Sequence, residues 1–128
     1  MSEDSRRRIL VVDDDAAVRS IVREMLEWAG FDVAEAENGE RCLEAIAATA
    51  FDLVVCDIFM PIQEGIETIR RVRALRPGLR ILAVSGGGTL GRLEYLQVAA
   101  QLGADRVLAK PFGQAELLAV VGDLLGRA

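Results

Sequence analysis

Five positions in this chain could do chemistry together: Asp13, Asp14, Asp57, Ser85 and Lys110. Each lies at the end of a short apolar run, namely Ile9–Val12, Leu53–Cys56, Ile81–Val84 and Val107–Ala109. Runs of that length and composition predict buried strands. If the strands are parallel in an open α/β sheet, their carboxyl ends share one edge, and that edge is where such sheets bind ligands. Three carboxylates crowded there repel one another unless a cation joins them. An oxygen-only set suits a hard ion such as Mg²⁺ (or Mn²⁺), commonly held by one or two carboxylates plus waters. The competing structural reading is local: Asp57 capping the turn after its strand, and the acidic run capping a helix. Asp15 alone satisfies the helix cap, which leaves Asp13 and Asp14 unexplained by it.

Lys110 is the most informative single residue. The chain has fourteen arginines and this one lysine, which stands at a strand end just before Pro111. A compact ammonium is a point charge for a carboxylate or phosphoryl oxygen, whereas the planar guanidinium favours forked contacts. The Lys110-Pro111 bond is a candidate cis peptide that would aim the ammonium back into the site. Cys42 and Cys56 show no metal or redox spacing and read as buried thiols. The chain has no histidine to activate either of them.

The elements that must position these residues alternate along the chain. Ile9–Val12 is followed by a helix capped by Asp15, with Val18, Ile21, Val22, Met25, Leu26 and Ala29 in its apolar stripe and Gly30 as its C′ residue. A weaker strand over Val33–Ala36 leads through Asn38-Gly39 into a helix with Leu43, Ile46 and Ala47 inward. After the Asp57 strand the chain breaks at Pro61 and turns at Gly65. A third helix then runs from about Gly65 to Leu75, with Ile66, Ile69 and Val72 inward and Arg70, Arg71 and Arg73 largely outward, and Arg76-Pro77-Gly78 stops it. Beyond the Ser85 strand, Gly86-Gly87-Gly88 precedes a fourth helix over roughly Leu90–Leu102, closed by Gly103. The Lys110 strand is followed by a fifth helix over about Gln114–Leu125 that buries Leu117, Leu118, Val121 and Leu125. Five βα units with short connections imply a doubly wound, five-stranded parallel sheet covered by helices on both faces. A single domain, core about 7–126, is expected to fill residues 1–128.

Composition narrows the classes. Just over half the residues are apolar and the net charge is −5, which describes a globular domain and argues against grip on nucleic-acid phosphates. Arg6-Arg7-Arg8 is a solvated lead-in. No apolar run approaches the ~20 residues of a membrane span, and the polar stretch Met1–Arg8 has no signal-peptide core. A cytoplasmic location is expected.

The motifs Val11-Val12-Asp13-Asp14-Asp15, Cys56-Asp57-Ile58-Phe59-Met60-Pro61 with Gly65, Val84-Ser85-Gly86 and Lys110-Pro111-Phe112 occur in order, each after an expected strand. On these the chain, from about Arg7 to Gly126, resembles the receiver domain of bacterial two-component response regulators. The resemblance implies a flavodoxin-like (βα)5 fold of strand order 2-1-3-4-5. It implies that Asp57 accepts a phosphoryl group from the phosphohistidine of a sensor histidine kinase or a histidine phosphotransfer protein. It implies Mg²⁺ held by Asp14, Asp57 and the Phe59 backbone carbonyl, with Asp13 acting through a bound water. Ser85 would hydrogen-bond the phosphoryl group and Lys110 would pair with it. Such a domain is a signalling phosphoacceptor rather than an enzyme, catalysing only its own phosphorylation and slow dephosphorylation.

Two positions depart from the usual pattern. Val107 stands where many receivers carry an aromatic switch residue, and Ser85 replaces the commoner Thr. A haloacid-dehalogenase-type phosphatase using Asp13 is a rival, but Ala17 stands where that family has Thr or Val. A dinucleotide-binding domain lacks its glycine motif after the first strand. A degenerate receiver acting only as a binding module is disfavoured by the intact acidic pair, acceptor, hydroxyl and lysine. Because the chain stops soon after the fifth helix, output is expected through changed protein binding, without direct DNA or membrane binding. The surface expected to carry it is the fourth helix, fifth strand and fifth helix, with Arg92 and Tyr95 exposed and the glycines as hinge. A monomer, or a weak dimer through that face, is expected.

Overall fold

The computed structural model describes residues 6–58, 62–85, 101 and 103–126, with only the helical placement of 62–64. The elements in order are β1 (Arg8–Val12), α1 (Ala16–Trp28), β2 (Asp32–Ala36), α2 (Gly39–Ala48), β3 (Leu53–Asp57), α3 (Ile62–Leu75), β4 (Arg80–Ser85), β5 (Arg106–Ala109) and a last helix, Gln114–Leu124. The strands form one parallel sheet in the order β2-β1-β3-β4-β5, so the expected doubly wound architecture and strand order are both present. Apart from Gln101, which is helical, the expected fourth helix, with Gly86, Gly87, Gly88, Arg92 and Tyr95, lies outside the described residues, as do Phe59, Met60 and Pro61.

Strand residues point alternately to the two faces of a sheet, and here both faces are apolar. Leu10, Val12, Val54, Cys56, Ile81 and Ala83 face one way and pack with Cys42 and Ile46 of α2 and Ile69 and Val72 of α3. Ile9, Val11, Leu53, Val55, Leu82 and Val84 face the other way, against Val22 and Leu26 of α1 and Leu117 and Val121 of the last helix. The alternation therefore builds two cores, one on each side of the sheet. Burial of strands on both faces is why their sequence reads as continuous rather than alternating apolar runs.

The helix ends follow local chemistry. Asp15 Oδ1 accepts from the N–H groups of Ala17 and Val18 at 2.9 and 3.3 Å, capping α1. Gly30, at φ +98°, follows it in the left-handed region. Asn38 accepts from the Arg41 N–H at 2.8 Å and starts α2.

Several expectations need correction. Ile21 is 54% exposed, because Val22 and Leu26 occupy the centre of the α1 stripe and Ile21 sits on its shoulder. Ala29 and Ala47 are exposed too, and Cys42 takes the buried place on α2. Arg73 turns back instead of outward. It donates to the carbonyls of Pro77, Leu79 and Gly103 at 2.8, 2.7 and 2.8 Å and pairs with Asp105 at 3.0 Å.

Gly65 is not a turn residue, since α3 begins at Ile62 and runs through it. The glycine is required by close approach: a Cβ there would lie 2.7 Å from Ile58 Cα and 2.8 Å from its carbonyl oxygen. Both are backbone atoms of the segment that leaves β3. Gly65→Ala is therefore expected to destabilise the protein by about 1–3 kcal/mol through overpacking, despite the ~1 kcal/mol helix-propensity gain. Gly78→Ala, where a Cβ meets nothing within 4 Å, should be close to neutral. Urea midpoints of the two variants check this, and a Gly65→Ala midpoint at or above the parent's would refute it.

Candidate functional site

Parallel register brings the five chemical residues together. Val12 pairs with Cys56, Asp57 with Val84, and Ser85 with Ala109. Asp13 therefore leaves β1 beside Asp57, Ser85 follows the partner of Asp57, and Lys110 follows the partner of Ser85. The ladder continues one step beyond the last pair, as the Lys110 N–H donates to the Ser85 carbonyl at 2.7 Å.

Lys110 Nζ donates to Asp13 Oδ2 at 3.1 Å and to Asp57 Oδ2 at 3.3 Å. Both aspartates are buried, with residue exposures of 4% and 6%, while the lysine side chain is 23% exposed. Burial works against the ammonium charge, but the hydrogen bond to Asp13 and the charges of Asp57 and Asp13 outweigh it, so the Lys110 pKa is raised. A raised folded-state pKa means that this contribution to stability is fully present at neutral pH. It is lost only as alkaline pH rises through that value.

Asp14 is exposed, and one carboxylate oxygen from each of Asp13, Asp14 and Asp57 lies within 4.8 Å of the others. An all-oxygen donor set, partly open to solvent, fits a hard divalent cation that keeps several waters. Ser85 is fully buried, and its Oγ has no hydrogen-bond partner among the described residues. An orphaned buried hydroxyl costs roughly 1–3 kcal/mol, which a hydrogen-bonding ligand at this edge would recover.

The structure thus brings together Asp13, Asp14, Asp57 and Lys110 and places Ser85 at the same edge. The Phe59 carbonyl, expected as a metal ligand, lies outside the described residues. The Lys110-Pro111 peptide is cis. Both cysteines are buried, and burial pushes the Cys42 thiol up to about 12, so it is inert at neutral pH. Val107 is partly buried against the α2–α3 core.

The sequence reading did not find Arg19. Its Nη1 donates to the Asp13 carbonyl at 2.7 Å and its Nε to Glu35 Oε1 at 2.8 Å. Its helical position next to the acidic run was a signal. The pairing with β2, however, depends on a long-range register.

Fold and site define a class: a flavodoxin-like α/β domain with an aspartate–lysine cluster at the carboxyl edge of its sheet. The family follows from comparison, because residues 9–122 match the response regulator receiver domain. The chain belongs to that family. It is 36% identical over 121 residues to the transcriptional regulatory protein CpxR of Escherichia coli K12, covering 94% of this chain and 50% of that protein. It is 40% identical to the response regulator MprA of Mycolicibacterium vanbaalenii, covering 94% of this chain and 51% of that one. Among solved structures, a CheY-like receiver domain protein from Methanospirillum hungatei aligns with a TM-score of 0.85 at 33% identity, covering 95% of each chain. The chemotaxis protein CheY4 of Vibrio cholerae aligns at 0.84 and 28%, covering 94% of this chain and all of that one. The chain spans about half the length of the curated relatives it matches. Similarity to half of a transcriptional regulatory protein conflicts with the expectation of an output without DNA binding, which is withdrawn. Among the described residues, no helix is long and apolar enough to cross a membrane.

Removing the lysine leaves two shielded carboxylates facing each other. Lys110→Met should lower metal-free stability by about 2 kcal/mol, below the full cost of breaking a buried pair because the ammonium is partly exposed. Urea unfolding at low salt measures it, and an unchanged midpoint would mean that the ion cluster contributes nothing to folding.

Proposed function

We propose that residues 1–128 act as a single phosphorylatable receiver, with Asp57 accepting a phosphoryl group from a histidine kinase or histidine phosphotransfer protein. The observation that carries this reading is the pairing of Lys110 with both Asp13 and Asp57 at the sheet edge that also holds Ser85, whose hydroxyl has no partner among the described residues. In the transfer, an Asp57 carboxylate oxygen attacks phosphorus in line. The phosphorus–nitrogen bond to the donor imidazole breaks, and the departing nitrogen carries the electron pair and takes a proton. Phosphoryl transfer asks mainly for positioning and charge neutralisation, and the cluster provides both.

Asp14 and Asp57 would hold Mg²⁺ (or Mn²⁺) directly, together with the Phe59 carbonyl. Asp13 already accepts from the Asp15 N–H at 2.9 Å through Oδ1 and from Lys110 through Oδ2, which supports a role through a bound water. When bound, the ion supplies neutralising charge at the transferring oxygens. Lys110 is near enough to Asp57 to follow the charge onto the phosphoryl group, and Ser85 Oγ would donate to one of its oxygens. Output through changed binding of a partner at β5 and its flanking helices, in a cytoplasmic protein, belongs to the same proposal.

Incubating the protein with Mg²⁺ and a small acyl phosphate, followed by mass spectrometry, should show one phosphoryl adduct that is absent in Asp57→Asn. An adduct persisting in that variant would refute the assignment. Lys110→Arg should not restore signalling, since the wider fork cannot replace a compact ammonium at this spacing.

A further inference from the structure

Asp13 is held at every polar atom it has. Its N–H donates to the Ala36 carbonyl at 3.2 Å, Oδ1 accepts from the Asp15 N–H, and Oδ2 accepts from Lys110. Its carbonyl lies past the last paired residue of β1, where the ladder ends and the acceptor needs another donor. Arg19 of α1 is that donor.

The same guanidinium reaches Glu35 on β2, and Glu35 is held in turn by Arg23 Nη1 at 2.9 Å through its second oxygen. Arg23 also pairs with Glu27 at 2.9 Å. The network is graded. The Arg19 and Glu35 side chains are 15% and 25% exposed, whereas Arg23 and Glu27 are 42% and 44% exposed. The inner pair is where a charge-assisted, forked contact counts most.

In register, Glu35 pairs with Val11, one step below the Val12–Ala36 pair. The Arg19 fork thus spans from β2 to the turn that carries Asp13 and Asp14. The hydrogen bonds to Arg23 and Arg19, with their charges, hold the Glu35 carboxyl below its usual range against the opposing effect of burial. It therefore stays ionised and keeps the fork oriented at neutral pH.

We propose that Arg19, oriented by Glu35, is a positioning residue for the acidic turn. By fixing the Asp13 carbonyl it sets the spacing of Asp13 and Asp14 against Asp57, and with it the affinity for the divalent cation. The proposal rests on the reading of Asp57 as a Mg²⁺-dependent phosphoacceptor. Arg19 holds the Asp13 carbonyl whereas Lys110 holds its carboxylate, so the hold of Arg19 on the turn persists while Lys110 moves its charge toward an incoming phosphoryl group.

The test is calorimetric titration of the full chain with Mg²⁺, alongside adduct formation from a small acyl phosphate at varied Mg²⁺. Arg19→Met should raise the Mg²⁺ dissociation constant roughly tenfold, the size of a lost charge-assisted hydrogen bond. Raising Mg²⁺ should largely recover the rate of adduct formation. Glu35→Gln, which keeps a neutral acceptor for Arg19, should shift the constant in the same direction by less, and it carries the test if Arg19→Met does not fold. Arg19→Lys should behave like Arg19→Met, because the two acceptors are met by separate guanidinium nitrogens, Nε for Glu35 and Nη1 for the Asp13 carbonyl, and a lysine offers only one nitrogen. A lowered urea midpoint with unmoved Mg²⁺ affinity in Arg19→Met and Glu35→Gln would overturn the proposal, as would parental affinity in Arg19→Lys. A parent chain that binds no Mg²⁺, or an Asp57→Asn variant that still forms the adduct, would instead overturn the phosphoacceptor reading and the proposal with it.

Discussion

Two aspartates with almost no exposure to water, at the ends of neighbouring parallel strands, would be an unstable arrangement by themselves. Each loses hydration, and each adds a negative charge to the other's surroundings. The Lys110 ammonium, at 3.1 Å from Asp13 and 3.3 Å from Asp57, makes the arrangement tolerable. Because Asp13 and Lys110 follow directly on β1 and β5 and Asp57 is the last residue of β3, the ion cluster and the strand register presuppose one another. A slip of one residue in any of the three strands would turn a charged side chain into an apolar core. The same slip would bring an aliphatic residue to the edge. The cluster therefore acts as a register mark for the sheet as well as its chemical site.

The chain uses its cations differently at different places. Several arginines bond backbone carbonyls at segment ends. Arg7 and Arg80 donate to Leu125 and Leu124 at the end of the last helix at 3.0 Å each, and Arg76 donates to the Ile46 carbonyl of α2 at 3.1 Å. Arg73 gathers three carbonyls and Asp105. These contacts exploit a rigid fork with several donors that stays charged in any surroundings. The one lysine is kept for the place where a compact charge must lie between two carboxylates. Arg19 belongs to the first group by geometry, but the carbonyl it holds is that of Asp13, and this joins the two uses.

Much of this was legible in the sequence because the signals were local or came in strand order. Apolar runs ending in Asp13, Asp57, Ser85 and Lys110 gave both the sheet and the membership of its edge, and Asp15, Asn38 and Gly30 marked helix ends by their own chemistry. The misses share a cause. Gly65 looks like a turn until the Ile58 backbone is seen pressed against it, and Ile21 looks buried until the width of the α1 stripe is fixed by its neighbours. Arg73 and Arg19 look like solvated helix charges until distant carbonyls arrive beside them. In each case the deciding atom belongs to a residue remote in the chain or to packing that periodicity does not resolve.

Ser85 shows how occupancy of the edge can be felt away from it. Its hydroxyl is buried without a described partner, while its carbonyl accepts the Lys110 N–H at 2.7 Å. A ligand that hydrogen-bonds Oγ recovers a penalty of about 1–3 kcal/mol, and any movement of Ser85 toward it is passed through that backbone bond to Lys110. A ligand can shift a conformational equilibrium only by its differential affinity for the two states. The Ser85 penalty therefore bounds this residue's share at roughly 5- to 150-fold, the usual range for coupling between sites. Val107, one register step before Leu108 in β5 and packed on the α2–α3 core, has no ring to relay such a movement. The hydrogen-bonded ladder from Ser85 into β5 is then a path by which occupancy of the edge reaches that strand.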